Sequence, residues 1–198
     1  MFTRQGLLLT WKEIRPYFIF AIILFFAGVV IGGSPNAPHE LLGKQIEGMR
    51  SIANSIQESD NPGLAAFARI TLNNIYVSLM MMALGIIVGI MPVIMLVMNG
   101  MFMGYVLDEV AKQGENVGLV VIQKILPHGI IELTAIFLAA AFGMRFGMTL
   151  LKGMFGSALG KSQSWQPFVR TATGAVPALI VVVVLLIVAG LIESLLFG

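Results

Sequence analysis

Residues 126–147 read LPHGIIELTAIFLAAAFGMRFG. Between Glu132 and Arg145 the stretch holds no charge. At about 1.5 Å per residue this is roughly 20 Å of apolar helix, most of the hydrocarbon depth of a bilayer. An ionisable group facing lipid costs at least about 2.5–3.5 kcal/mol, so His128 and Glu132 are expected to face protein. They stand four residues apart, and Ala135, Ala139 and Gly143 continue the same face within an arc of about 80°. Polar groups and small residues therefore share one side of this span.

The rest of the chain is of the same kind. Of its 198 residues, 58% are hydrophobic and 11% charged, and the mean hydropathy is +0.92. A soluble domain carries about 25% charged residues. The composition implies an all-α polytopic membrane helix bundle, read as a single membrane domain over 1–198. A net charge of +2 gives no ground for a nucleic-acid partner. The absence of cysteine excludes disulfides, thiolate metal sites and cysteine nucleophiles. The first apolar stretch is read as an uncleaved span and not as a secretory signal.

Five spans are predicted, at about 17–33, 70–89, 91–105, 127–147 and 175–196. The second and third share the apolar run Ile70 to Tyr105, too long for one crossing, with Gly89 and Pro92 as the break. Leu42, Ile46, Met49, Ala53 and Ile56 form a helical stripe, so an amphipathic helix is predicted near 39–59. Asn61-Pro62-Gly63 ends it, and Asn61-Pro62 is a cap for the next helix. The connection 148–172 is Gly-rich and basic with Trp165, and is expected to rest on an anionic inner leaflet. Lysine and arginine set the orientation. Arg4, Lys12 and Arg15 precede the first span, and Arg145, Lys152, Lys161 and Arg170 lie around the connection of the fourth and fifth. The intervening segments 34–69 and 106–124 carry an acidic excess. The N-terminus is therefore expected in the cytoplasm and the C-terminus outside, in the plasma membrane.

Polar groups gather at the outer level of this arrangement. Asn73 and Asn74 of the second span, Asn99 of the third, His128 and Glu132 of the fourth and Glu193 of the fifth lie within about 10 Å of the outer boundary. The inner halves read as almost free of polar groups. His128, Glu132 and Glu193 suit a divalent metal such as zinc, although the stretch lacks the H-E-x-x-H pattern of known zinc sites. An interhelical hydrogen-bond cluster with Asn73, Asn74 and Asn99 is the plainer reading of the same residues, and a translocation pathway is the third. The pairs Gly28/Gly32, Gly85/Gly89, Gly100/Gly104 and Gly143/Gly147 have the spacing of helix-packing motifs, within the bundle or between copies, and a homodimer through a glycine-lined face is expected. Thirteen scattered methionines are read as adaptable packing and His39 as a solvated surface residue.

Residues 73–104, NNIYVSLMMMALGIIVGIMPVIMLVMNGMFMG, together with 126–147 and the C-terminal LIVAGLIESLLFG, resemble the stage II sporulation protein M family. The asparagine before the second span, Asn99-Gly100, and the Pro-His-Gly-x-x-Glu of 127–132 carry the resemblance, which covers most of the chain. It implies a polytopic protein without an enzymatic role, similar to a scaffold that gathers two peptidoglycan-degrading partners, the stage II sporulation proteins D and P, at the septal membrane during engulfment. Membership alone does not imply that the host sporulates. The competing reading is a transporter or channel using the outer polar or metal site; polar groups confined to one end speak against it. Reporter fusions test the orientation: a reporter near Ser157 is expected to read cytoplasmic and one after Gly198 external. An even number of crossings would contradict it.

Overall fold

A computed structural model describes residues 4–197. The side chains of Arg4 and Lys124, which enter the charge count, and that of Leu196 at the predicted end of the fifth span lie outside the described residues. The helices are α1 (Arg4–Gly32), α2 (His39–Gln57), α3 (Pro62–Leu84), α4 (Ile90–Lys112), α5 (Val117–Val120), α6 (Leu126–Ala158) and α7 (Gln166–Phe197). Five of them, α1, α3, α4, α6 and α7, are long and apolar enough to cross a membrane. The fold is an all-α membrane bundle.

Local chemistry explains most boundaries. Asn61 caps α3, its side chain accepting from the Leu64 amide at 3.0 Å, with Pro62 in the first turn. The α3–α4 break falls at 85–89, earlier than the expected Gly89/Pro92. Gly89 takes φ +71°, the left-handed conformation that glycine adopts without penalty, and Val88 takes φ 56° beside it. Pro92 sits inside the first turn of α4, where its missing N–H costs nothing.

Two predicted connections are largely helical. The segment 106–124 continues α4 to Lys112 and then enters α5, followed by a π-helical turn over Val121–Ile125 that runs into α6. Pro127 cannot donate a backbone hydrogen bond to the turn before it, and the π turn takes up that mismatch. The connection 148–172 is helical to Ala158 and again from Gln166. At about 1.5 Å per residue the 33 residues of α6 are roughly 50 Å long, so the helix projects beyond the hydrocarbon. Trp165 closes the short turn: its ring lies over Gly153 and Nε1 donates to Ser157 Oγ at 2.8 Å.

α6 is the centre of the bundle and touches all four other spans. Its Ala135, Ala139, Ala140 and Ala141 are fully buried. Its Phe137 and Met144 pack with Phe25 of α1, Met81 of α3 and Leu96 of α4, with the Phe25 and Phe137 rings edge to face at 5.4 Å. The glycine pairs make the closest approaches. Gly28 and Gly32 of α1 lie against Gly100 and Met101 of α4, and a Cβ on Gly104 would fall on the Val29 carbonyl. Gly85 and Gly89 lie against Gly143, Met144 and Gly147 of α6. All eight glycines are buried within one chain. This corrects the expected use of a glycine face: the four pairs are consumed in internal packing, and a homodimer would need another surface.

These contacts generate a prediction. A methyl group on Gly143 would meet the Met81 carbonyl, and one on Gly100 the Phe25 carbonyl; neither backbone can yield by a rotamer change. Gly143→Ala and Gly100→Ala are each expected to lower stability by about 1–3 kcal/mol in thermal denaturation in mild detergent. Gly48→Ala in α2, where a Cβ meets nothing within 4 Å, is expected to be neutral or stabilising by up to about 1 kcal/mol.

Candidate functional site

The end of the bundle that carries α2 brings polar side chains from three helices together. The register of α3 and α7 is set beside them. Gly190 of α7 has no side chain, and a Cβ there would meet Thr71 Oγ1 of α3. Gly63 lies under the Ser194 carbonyl, where a Cβ would be 3.3 Å from the oxygen. Thr71 and Asn74 are three residues apart on α3, and Gly190 and Glu193 three apart on α7, so this approach aims Asn74 and Glu193 at one place. From α6, His128 and Glu132 enter on the face continued by the buried Ala135 and Ala139.

Asn74 Nδ2 donates to Glu132 Oε1 at 2.8 Å. His128 Nε2 lies 4.0 Å from Glu193 Oε1, and each of these two side chains is 15% exposed. One ligand atom from each of His128, Glu132 and Glu193 lies within 4.8 Å of the others. The Nδ1 of His128 is buried without a hydrogen-bond partner, as are the hydroxyl oxygens of Thr71 and Ser78 on α3. Asn73 is exposed on α3, and no hydrogen bond joins Asn73 or Asn99 to this group among the described residues. A helix turns about 100° per residue, so Asn73 cannot share the face of Asn74. His39 is exposed; its ring tilts over Tyr105 at 5.5 Å, and Nε2 lies 3.1 Å from the Pro35 carbonyl oxygen.

The opposite end has a charged cluster that the sequence reading missed. Arg145 of α6 is 6% exposed and pairs with Glu13 of α1. Arg170 of α7, 53% exposed, donates to the other carboxylate oxygen of Glu13 at 2.7 Å. Arg145 and Arg170 entered the sequence reading only as topology charges, with no partner assigned to either. A signal was present: Arg145 falls inside the alanine and glycine run of the most buried span, where an arginine needs a partner, and Glu13 is the one acid before the first span. The ionic cluster ties α1, α6 and α7, as the polar group at the α2 end ties α3 and α6 and approaches α7. Between them the interior is filled by Ala135, Phe137, Ala140, Phe142 and Met144.

Exposure separates the roles of the two arginines. Glu13→Ala leaves the buried Arg145 charge without a partner and is expected to cost about 3–5 kcal/mol in chemical denaturation. Arg170→Ala removes an exposed partner and is expected to cost no more than about 1 kcal/mol. Equal losses would contradict this assignment.

The sequence profile of stage II sporulation protein M matches residues 17–196. An uncharacterized protein of Methanocaldococcus jannaschii is 29% identical over 111 residues, covering 56% of this chain and 48% of that relative. The match thus spans about half the length of the archaeal protein. No solved structure matches the chain. With a profile match over most of its length and a five-span bundle, the chain belongs to the stage II sporulation protein M family.

Proposed function

We propose that this chain is a non-enzymatic scaffold of the plasma membrane, oriented with its N-terminus in the cytoplasm and α2 outside, which holds peptidoglycan-degrading partners of the stage II sporulation D and P type. The observation that carries the reading is the mounting of α2. Leu42 at one end of α2 is fully buried with Ala37 and Met101. Ile56 at the other end is 2% exposed, and Ser55 accepts from Arg69 of α3. Between these anchors apolar side chains are not covered: Met49 of the expected stripe is 56% exposed, and Ile52, off the stripe, 45%. A helix pinned at both ends with an apolar middle is a fixed docking edge, and fixing it beforehand lowers the entropy that a partner must overcome. Family membership supports the same reading.

The transport reading draws less support. Glu132 and Arg145 are separated by about 20 Å of helix, and buried aromatic and aliphatic side chains fill that layer. An alternating-access site is formed near the midplane by interrupted helices, whereas α6 runs unbroken through this depth.

Met49→Asp with Ile52→Asp tests the scaffold. Both side chains are exposed, so thermal stability is expected to change little. Peptidoglycan-hydrolysing activity that co-purifies with the chain from host membranes is expected to fall roughly tenfold, the equivalent of about 1.4 kcal/mol of binding. Equal activity with both forms, or none with the unaltered chain, would contradict the reading.

A further inference from the structure

We infer that His128, Glu132 and Glu193 form a binding site for one divalent ion of the zinc class, which cross-links α6 to α7 at the α2 end of the bundle. The inference does not depend on the scaffold reading or on any partner.

The argument starts from what the three side chains fail to do. They converge to within 4.8 Å, yet none hydrogen-bonds another. The contact of His128 Nε2 with Glu193 Oε1, at 4.0 Å, is too long for a hydrogen bond. The Glu193 side chain makes no hydrogen bond among the described residues. A cluster built only for hydrogen bonding would close these distances. Two ligands on one tetrahedral zinc, with bonds of about 2.0–2.2 Å, lie roughly 3.3–3.6 Å apart, so the 4.0 Å contact is only a few tenths of an ångström wider than a bound ion would hold it. From the 4.8 Å limit of the whole set, side-chain shifts of roughly 1 Å bring the three atoms to that spacing on binding.

Charge gives the second argument. Two carboxylates within 4.8 Å of each other, both only partly exposed, repel strongly. A divalent cation with two carboxylates and a neutral imidazole has zero net charge, the favourable total for a site in an apolar setting. The donor set of one nitrogen and two oxygens selects against magnesium and calcium, which take oxygen ligands alone, and suits zinc. Three protein ligands leave a fourth position for water or a partner's side chain.

The third argument is the support around the ligands. Asn74, from a third helix, holds Glu132 Oε1 at 2.8 Å and leaves the second oxygen for an ion. His128 and Glu132 stand one turn apart on a single rigid helix, directly after the π-helical turn at Val121–Ile125. Such turns are frequent where a helix aims functional side chains.

The test uses the full chain in detergent or nanodiscs, stripped with a chelator and dialysed against buffered free zinc, with bound metal measured by mass spectrometry. One zinc per chain is expected, with a rise in melting temperature that chelator reverses. Glu193→Gln keeps the side-chain shape and is expected to weaken zinc binding at least tenfold, as is His128→Gln. Cobalt(II) absorption of the unaltered chain gives a reading independent of any variant: visible ligand-field bands of a four-coordinate site are expected. A folded chain with no bound zinc and no cobalt bands overturns the site. So does zinc binding that survives unchanged in both variants, which places the ion elsewhere.

Discussion

The close approach of backbone to backbone at small residues is the constraint on which the rest of this molecule depends. Lipid offers no hydrophobic drive for helices to associate, so dispersion contacts at short range must do it. Here α1 meets α4 at Gly28, Gly32, Gly100 and Gly104, and the turn between α3 and α4, at Gly85 and Gly89, meets Gly143 and Gly147 of α6. Each contact sets carbonyl groups of one helix where a methyl group on the other would sit. The alanine run of α6 extends the principle along the helix and lets four neighbours gather round it. The span quoted first is therefore central because Ala135, Ala139, Ala140, Ala141 and Gly143 let its neighbours come close, while Phe137, Phe142 and Met144 fill the space between them.

The two polar clusters follow from that packing. Gly190 against Thr71 brings α3 and α7 together one turn from Glu193 and Asn74. The side chains of His128 and Glu132 then have nowhere to point but toward these helices. At the other end α6 presents Arg145 to Glu13 of α1, with Arg170 of α7 on the same carboxylate. Both clusters lie beyond the apolar layer of Phe137, Ala140 and Phe142, so the bundle is polar at its ends and dry at its middle. That distribution suits a rigid platform better than a conduit.

Much of this was legible in the sequence because it rests on one-dimensional signals. Apolar length marks the spans, the Asn61-Pro62 cap marks the start of α3, and helical periodicity places His128 and Glu132 on the face of Ala135 and Gly143. What was not legible depends on partners. Glycine spacing says that backbones approach but not whether the second backbone belongs to the same chain. Loop composition did not reveal that Gly153 and Gly156 continue a helix, since the side chains of Trp165 and Ser164 fill the space over them. The Glu13 and Arg145 pairing joins residues 132 positions apart, and no local pattern encodes it. Depth along the spans put Asn73 and Asn99 with Asn74 in the sequence reading, but of the three only Asn74 hydrogen-bonds into the site among the described residues.

The central claim is that one chain closes its own small-residue crossings and so assembles the site. Disulfide trapping tests it without interference, because the chain has no cysteine of its own. A Cβ at Gly190 would lie 3.2 Å from that of Thr71, just under the Cβ separation of about 3.5–4.5 Å in disulfides. With Thr71→Cys and Gly190→Cys in the same chain, oxidation in native membranes is expected to give a cross-link within the monomer, seen as a shift in gel mobility that reductant reverses. A product linked only between two chains, or none at all, would contradict the account.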